Sequence, residues 1–373
     1  MSILPAFPKI HFDFGAVRGL EGELIAHGVV RPLFITDEGL VEHGVFEKLR
    51  AAIPSNVDYT LFDKIPENPT VAGVEAAAAA YRENDCDGIV ALGGGSVLDS
   101  GKSIRIVVSH EGELQELAAN PERIKPGLPT LITLPTTAGT GAEITAGGGI
   151  HPAPDTHAFG VRSPHIQPSV AICDPDLTLA LPPRLTAGTG MDALGHCVEG
   201  IFAPTVNPPV EAIALDGIRR VCTYIERAVE DGTDREARWH MLMAALEGGM
   251  AIYKGLGPVH TLAHIFGDRP VHHGAAVAIA TPAVVRFCAG DVGDKGDKIL
   301  DAMGLARGSD LADGIAQLNE RVGIPATMRE IGYDGQDVDG LAQMGHENWF
   351  NATAPRHPSV AEYREMIVEL LGT

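Results

Sequence analysis

The stretch GIVALGGGSVLDSGK, residues 88–102, decides the fold. Its first five residues form an apolar run of strand length. Three glycines then turn the chain, and helical spacing takes over across 97–108. Gly93-Gly94-Gly95-Ser96 lets backbone N–H groups approach a ligand closely, and the helix start behind it favours an anion. The spacing departs from the usual dinucleotide fingerprint, because Leu98 stands where the third glycine would fall. On spacing alone, a tight structural turn explains the glycines as well as a phosphate cradle does.

Two neighbours favour the cradle. Asp99 lies one turn into the helix. Residues 130–134 form another apolar strand that ends in PTTAGTG (135–141), a second loop rich in hydroxyls and glycines. Two such loops at the carboxyl ends of parallel strands are where a nucleotide lies. Upstream, 32–36 reads as a strand closed by Asp37-Glu38-Gly39, 39–53 as a helix stopped by Pro54, and 57–62 as a strand. Residues 70–81 read as an Ala-rich helix with Thr70 as N-cap. Strands alternating with helices imply a mostly parallel sheet covered on both faces. Asp37, at a strand's C-terminal end, can accept hydrogen bonds from a ribose diol and would repel a 2′-phosphate, which points to NAD rather than NADP.

Beyond Pro182-Pro183 the pattern turns helical, through 185–202, 210–229, 236–253, 258–266 and 275–287. The expected division is an α/β nucleotide-binding domain over 1–182 and an all-helical domain over 183–373. Three short motifs of the helical half carry metal-ligand chemistry. MDALGHCVE (191–199) puts Asp192 and His196 on one helical face, and PVHTLAHIFG (258–267) does the same for His260 and His264. His272-His273 sit at a loop-to-helix junction. An isolated histidine is usually structural, but six candidates in three motifs favour a divalent ion, and this ligand type suits Fe²⁺ and Zn²⁺ equally.

The 373 residues carry 28 Lys+Arg against 49 Asp+Glu, a net charge of −21. That balance repels phosphate backbones and anionic membranes, so neither nucleic acid nor a membrane is an expected partner. No apolar run is long enough to span a bilayer, and 1–14 has no signal-peptide core. Cys86, Cys173, Cys197, Cys222 and Cys288 are scattered and odd in number, which reads as reduced thiols in the cytoplasm.

GGGSVLDSGK, PTTAGTG, GMDALGHCVEG, GLGPVHTLAH and HHG, in this order, resemble the iron-containing (group III) alcohol dehydrogenases over almost the whole chain. IHFDFGAV, CDPDLTLALP and the NPP after the metal motif are most similar to the 4-hydroxybutyrate dehydrogenases among them. The resemblance implies a dehydroquinate synthase-like fold, with NAD and a metal meeting in the cleft between an N-terminal α/β domain and an all-α C-terminal domain. It puts Asp192, His196, His260 and His273 at the metal-ligand positions, and His264 near the nicotinamide as the catalytic histidine. Asp37, Asn68, Gly94, Gly95, Ser96, Asp99, Thr136, Thr137 and Thr140 fall on cofactor-contact positions. It also implies a homodimer.

One feature departs from the family. A lysine often precedes the strand that ends in Cys173-Asp174-Pro175, yet 156–160 read THAFG; His157 and Arg162 are the candidate replacements. The implied chemistry interconverts a small primary alcohol and its aldehyde, with ω-hydroxy acids such as 4-hydroxybutyrate among the expected substrates. The metal lowers the alcohol's pKa, a hydride passes to the nicotinamide, and the proton leaves through the ribose hydroxyl or His264. Arg162 and His165, read as loop residues, are candidates for holding a distal carboxylate. Two readings compete with the dehydrogenase. One is a dehydroquinate-synthase-like lyase, which needs several cationic residues around a phosphorylated substrate, where only Lys254, Arg269 and Arg286 are near. The other is a non-catalytic metal or nucleotide binder, against which the complete ligand set argues.

Overall fold

The computed structural model describes residues 6–55 and 57–372, so the first five residues of the 1–14 segment lie outside it. The chain forms two units, Ala6–Thr137 with Ala142–Ala180, and Ala138–Gly141 with Leu181–Thr373.

The first unit carries β1 Lys9–Phe12, β2 Pro32–Ile35, β3 Thr60–Phe62, β4 Gly88–Gly93, β5 Thr130–Pro135, β6 Gly147–Ile150, β7 Phe159–Arg162 and β8 Val170–Cys173. Six of them form one sheet in the order β1-β8-β5-β4-β2-β3, with every pair parallel. Its helices are α1 Leu20–Ala26, α2 Glu38–Glu42, α3 Val45–Arg50, α4 Val71–Glu83, α5 Gly95–Ser109 and α6 Leu114–Ala119. Side chains alternate across a strand, so a strand buried on both faces feeds two cores. Leu33, Ile35, Ile89 and Ala91 pack with Val74 and Ala77 of α4 and Leu98 of α5. Phe34, Val90 and Leu92, which alternate with them in sequence, pack with Leu24 of α1 and Phe46 and Leu49 of α3. Thr70 caps α4 by accepting the Gly73 N–H, as expected.

Three local expectations change. The helix expected over 39–53 is two short helices, because Gly44 sits at φ 74°, a left-handed conformation that breaks the helix and suits glycine. The strand expected over 57–62 begins only at Thr60. Arg162 is not in a loop: it ends β7, which pairs antiparallel with the glycine-rich β6, and His165 lies in the 3-10 turn Pro164–Ile166. A run such as Gly147-Gly148-Gly149 has no side chains to display a period, so this two-stranded arm leaves no pattern in the sequence. Buried Lys102 ties the arm to α5. Its Nζ donates to Asp99 Oδ1 (2.9 Å), Thr145 Oγ1 (3.1 Å) and the Gly147 carbonyl (2.7 Å), while Asp99 Oδ2 accepts the Gly149 N–H.

The second unit contains the helices α7 Pro183–Phe202, α8 Pro208–Glu230, α9 Arg235–Ile252, α10 Pro258–Ile265, α11 His273–Cys288, α12 Lys295–Met303, α13 Leu311–Arg321, α14 Val338–Glu347 and α15 Val360–Leu371. Every residue of α7 from Thr186 to Phe202 is buried. Such a helix needs its terminal carbonyls satisfied from within the protein. Lys254 does this, donating to the carbonyls of Gly200 (2.9 Å), Ile201 (3.1 Å) and Ala203 (2.7 Å), and Lys295 adds bonds to Phe202 and Ala203. Two cations at a helix C-terminus also oppose its dipole. At the other end α7 meets α11 backbone to backbone: a Cβ on Gly274 would lie 2.4 Å from the Gly188 carbonyl oxygen. Lys254→Met, which orphans the Gly200 and Ile201 carbonyls and leaves that of Ala203 to Lys295, is expected to cost about 3 kcal/mol, read as a lower denaturant midpoint. An unchanged midpoint would remove Lys254 from this role.

Candidate functional site

Asp192 and His196 lie one turn apart on α7, His260 lies on α10, and His273 is the first residue of α11. Asp192 Oδ1 is 3.6 Å from His260 Nε2 and 3.8 Å from both His196 Nε2 and His273 Nε2. The ligand atoms of Asp192, His260 and His273 all fall within 4.8 Å of one another. His196 stands outside that trio but stacks on His260, with ring centroids 4.4 Å apart. Asp192 Oδ1 and His260 Nε2 are buried and have no hydrogen-bond partner. Buried polar atoms are nearly always paired, so one carboxylate oxygen and the facing imidazole nitrogens fit a divalent cation.

Burial opposes the charge of Asp192, but the imidazoles around it outweigh burial and hold its carboxyl well below the usual range. Burial holds His196 down to about 4, which keeps it neutral, the form that ligates a metal. Burial acts the same way on His260, but its bond to Glu199 and the nearby Asp192 carboxylate prevail and raise it to about 9.

Glu199 is a residue the sequence reading did not single out. Its Oε1 accepts the Val259 N–H at 2.7 Å, and its Oε2 accepts His260 Nδ1–H at 2.5 Å. One carboxylate thus caps the start of α10 and fixes the His260 tautomer, which turns Nε2 toward Asp192. A carboxylate behind a ligating histidine orients it and raises its basicity. The only signal in the sequence is that Glu199 follows His196 by three residues on the same helix. His272, the rival of His273, caps α11 by accepting the Ala275 N–H at its Nδ1 (3.2 Å). His264 receives Asn348 Nδ2 at 3.2 Å, and the Phe350 ring lies 6.1 Å from the rings of both His264 and His260. The sequence reading missed Asn348 and Phe350 too.

In the α/β unit, the ends of four parallel strands lie side by side. The Thr36 N–H donates to the Phe62 carbonyl, and the Thr136 N–H to the Gly93 carbonyl. Asp37 caps α2 through the Leu40 N–H at 2.9 Å, and burial pushes its carboxyl up. Asn68 is exposed on the loop after β3, and Ser96 Oγ donates to the Glu67 carbonyl on that loop. Gly94 opens α5 with no side-chain cap. A Cβ there would come within 3.2 Å of Thr137 Cγ2, so the two glycine- and hydroxyl-rich loops touch. Asp37, Asn68, Gly94, Gly95, Ser96, Thr136 and Thr137 thus gather at one edge of the sheet. Asp99, on the same helix, is committed to Lys102 and β6. Thr140 belongs to the stretch that goes with the helical unit.

The cations a lyase would need are taken. Lys254 closes α7, Arg269 pairs with Asp334, and Arg286 pairs with Glu369.

A parallel nucleotide-type sheet, and a cluster of buried Asp192, His196 and His260 with exposed His273, suit a protein that binds a nucleotide and a divalent metal. The chain belongs to the iron-containing alcohol dehydrogenase family: residues 8–175 match the model of iron-containing alcohol dehydrogenases, and 186–371 match that family's C-terminal model. It is 42% identical to a 4-hydroxybutyrate dehydrogenase of Cupriavidus necator, over 98% of this chain and 99% of that one. A solved 1,3-propanediol oxidoreductase superposes with a TM-score of 0.93 at 30% identity, covering 99% of this chain and 100% of that one. A sulfoacetaldehyde reductase from Bifidobacterium kashiwanohense, solved with NAD⁺, gives 0.91 at 25% identity, covering all of both chains. Family membership excludes the lyase reading. No helix among the described residues is long and apolar enough to cross a membrane.

Glu199→Gln keeps an acceptor for Val259 but removes the carboxylate behind His260. It is expected to weaken metal binding about 10–100-fold, measured by competition with a chelator. Wild-type affinity in this variant would contradict the orienting role.

Proposed function

We propose that this chain is an NAD(H)-dependent dehydrogenase that interconverts a small primary alcohol and its aldehyde, with a short ω-hydroxy acid of the 4-hydroxybutyrate type as preferred substrate. The observation that carries the reading is the orphaned pair of Asp192 Oδ1 and His260 Nε2 facing His196 and His273. Asp192, His196, His260 and His273 would hold Fe²⁺ or Zn²⁺. When bound, such an ion supplies Lewis acidity toward an alcohol or carbonyl oxygen, and the nicotinamide supplies the hydride exchange.

The rest is the work of side chains and backbone. The amides of Gly94 and Gly95, with Ser96, Thr136, Thr137 and Thr140, suit a pyrophosphate at the uncapped start of α5. Asp37 and Asn68 suit the adenosine ribose. Asp99 supports that region by holding Lys102 and the β6–β7 arm in place. His264 is the candidate catalytic histidine. Exposed Arg162, at the end of β7, is a cation suited to a substrate carboxylate, and His165 lies three residues on. The 42% identity to a 4-hydroxybutyrate dehydrogenase over nearly both whole chains supports the ω-hydroxy acid. The division at residues 182–183, a cytoplasmic setting and a homodimer belong to the same proposal.

Two measurements test it. 4-Hydroxybutyrate is expected to exceed 1-butanol in kcat/KM for NAD reduction, and Arg162→Ala to erase that margin while leaving 1-butanol turnover intact; a preference for 1-butanol in the wild type would remove the carboxylate from the account. NADP is expected to bind more weakly than NAD by a few kcal/mol, because its 2′-phosphate would meet the Asp37 carboxylate. Asp37→Gly should narrow the gap, and equal use of both cofactors by the wild type would contradict the assignment.

A further inference from the structure

Two hydrogen bonds through one side-chain amide fix the position of one proton. Asn348 caps the 3-10 turn Trp349–Thr353, and its Oδ1 accepts the Phe350 N–H at 3.0 Å. A backbone N–H can only donate, so the Asn348 atom facing it is the oxygen. That settles the orientation of the amide and places Nδ2, which only donates, 3.2 Å from His264 Nδ1. His264 Nδ1 therefore presents a lone pair, and the neutral ring carries its proton on Nε2. Protonating Nδ1 would set two donors face to face. A divalent cation held through His260, one helical turn away, would further disfavour a charged ring.

We propose that Asn348 is a positioning residue that holds His264 as a neutral Nε2–H donor, so that His264 donates a hydrogen bond to an oxygen of the substrate or cofactor and does not accept the alcohol's proton. This rests on the dehydrogenase reading, and it replaces one of the two proton exits expected from the sequence, leaving the ribose hydroxyl. A donor aimed at an oxygen that gains negative charge during reaction stabilises the transition state without itself titrating.

The test combines ring-nitrogen NMR with kinetics on the holoenzyme. In the diamagnetic zinc-loaded protein, the His264 signals are assigned by their loss in His264→Gln. Near neutral pH they should show Nε2 protonated and Nδ1 bare. Asn348→Asp keeps the cap to Phe350 but presents an acceptor to Nδ1, so the pattern should reverse to Nδ1–H. In the kinetics, His264→Gln, whose amide can still donate, should stay within about tenfold of wild-type kcat/KM, while His264→Ala should lose about 100-fold. If the acceptor is a cofactor oxygen, His264→Ala also weakens NADH binding in a fluorescence titration; if it is a substrate oxygen, NADH affinity holds and the loss falls on aldehyde turnover. A wild-type ring protonated at Nδ1, or Gln and Ala variants equally inactive, would overturn the proposal. The NMR readout needs no turnover, so failure of the dehydrogenase reading itself would appear separately, as a wild type that reduces no NAD.

Discussion

A carboxylate with 1% exposure in the middle of a helical unit is the constraint on which the second half of this protein depends. Asp192 cannot be buried cheaply without a compensating positive charge. Three imidazoles converge on one of its oxygens, and that oxygen still has no hydrogen-bond partner. The surrounding helices keep this arrangement in place. Lys254 and Lys295 close the C-terminal end of α7, Gly188 and Gly274 let α11 begin against its N-terminal part, and Glu199 binds the start of α10 to it. Each contact fixes the start or end of a helix that supplies a ligand.

The α/β unit solves a different problem by the same means. Its central strands β2, β4, β5 and β8 are buried on both faces, which leaves their ends for polar chemistry. There the backbone amides at the start of α5 and the hydroxyls of Thr136 and Thr137 come together. The β6–β7 arm has almost no side chains with which to pack, and it is held by buried Lys102 and Asp99. Asp99, which the family resemblance assigns to cofactor contact, therefore has a structural duty toward the arm that carries Arg162.

Much of this was legible from periodicity. β2, β4, β5 and the long helices from α7 onward are apolar runs of the right length and period, and Asp192 with His196 shows directly as an i,i+4 pair. Other features were not legible, each for an identifiable reason. β1 has four residues of mixed character, β6 is mostly glycine, and Gly44 breaks a helix whose apolar spacing continues across it. The choice between His272 and His273 depends on which ring caps α11, which the sequence does not reveal. Glu199 acts on residues 60 and 61 positions away, and Asn348 on one 84 positions away. Such partners are made by the tertiary fold and leave no local pattern.

X-ray absorption at the metal edge of iron-loaded protein addresses the central claim most directly. The account predicts one ion per chain with only nitrogen and oxygen neighbours, including the outer-shell scattering of three imidazole rings, and loss of one ring's contribution in His273→Ala. A sulfur neighbour, a spectrum unchanged in that variant, or fully active protein containing no stoichiometric metal would contradict it.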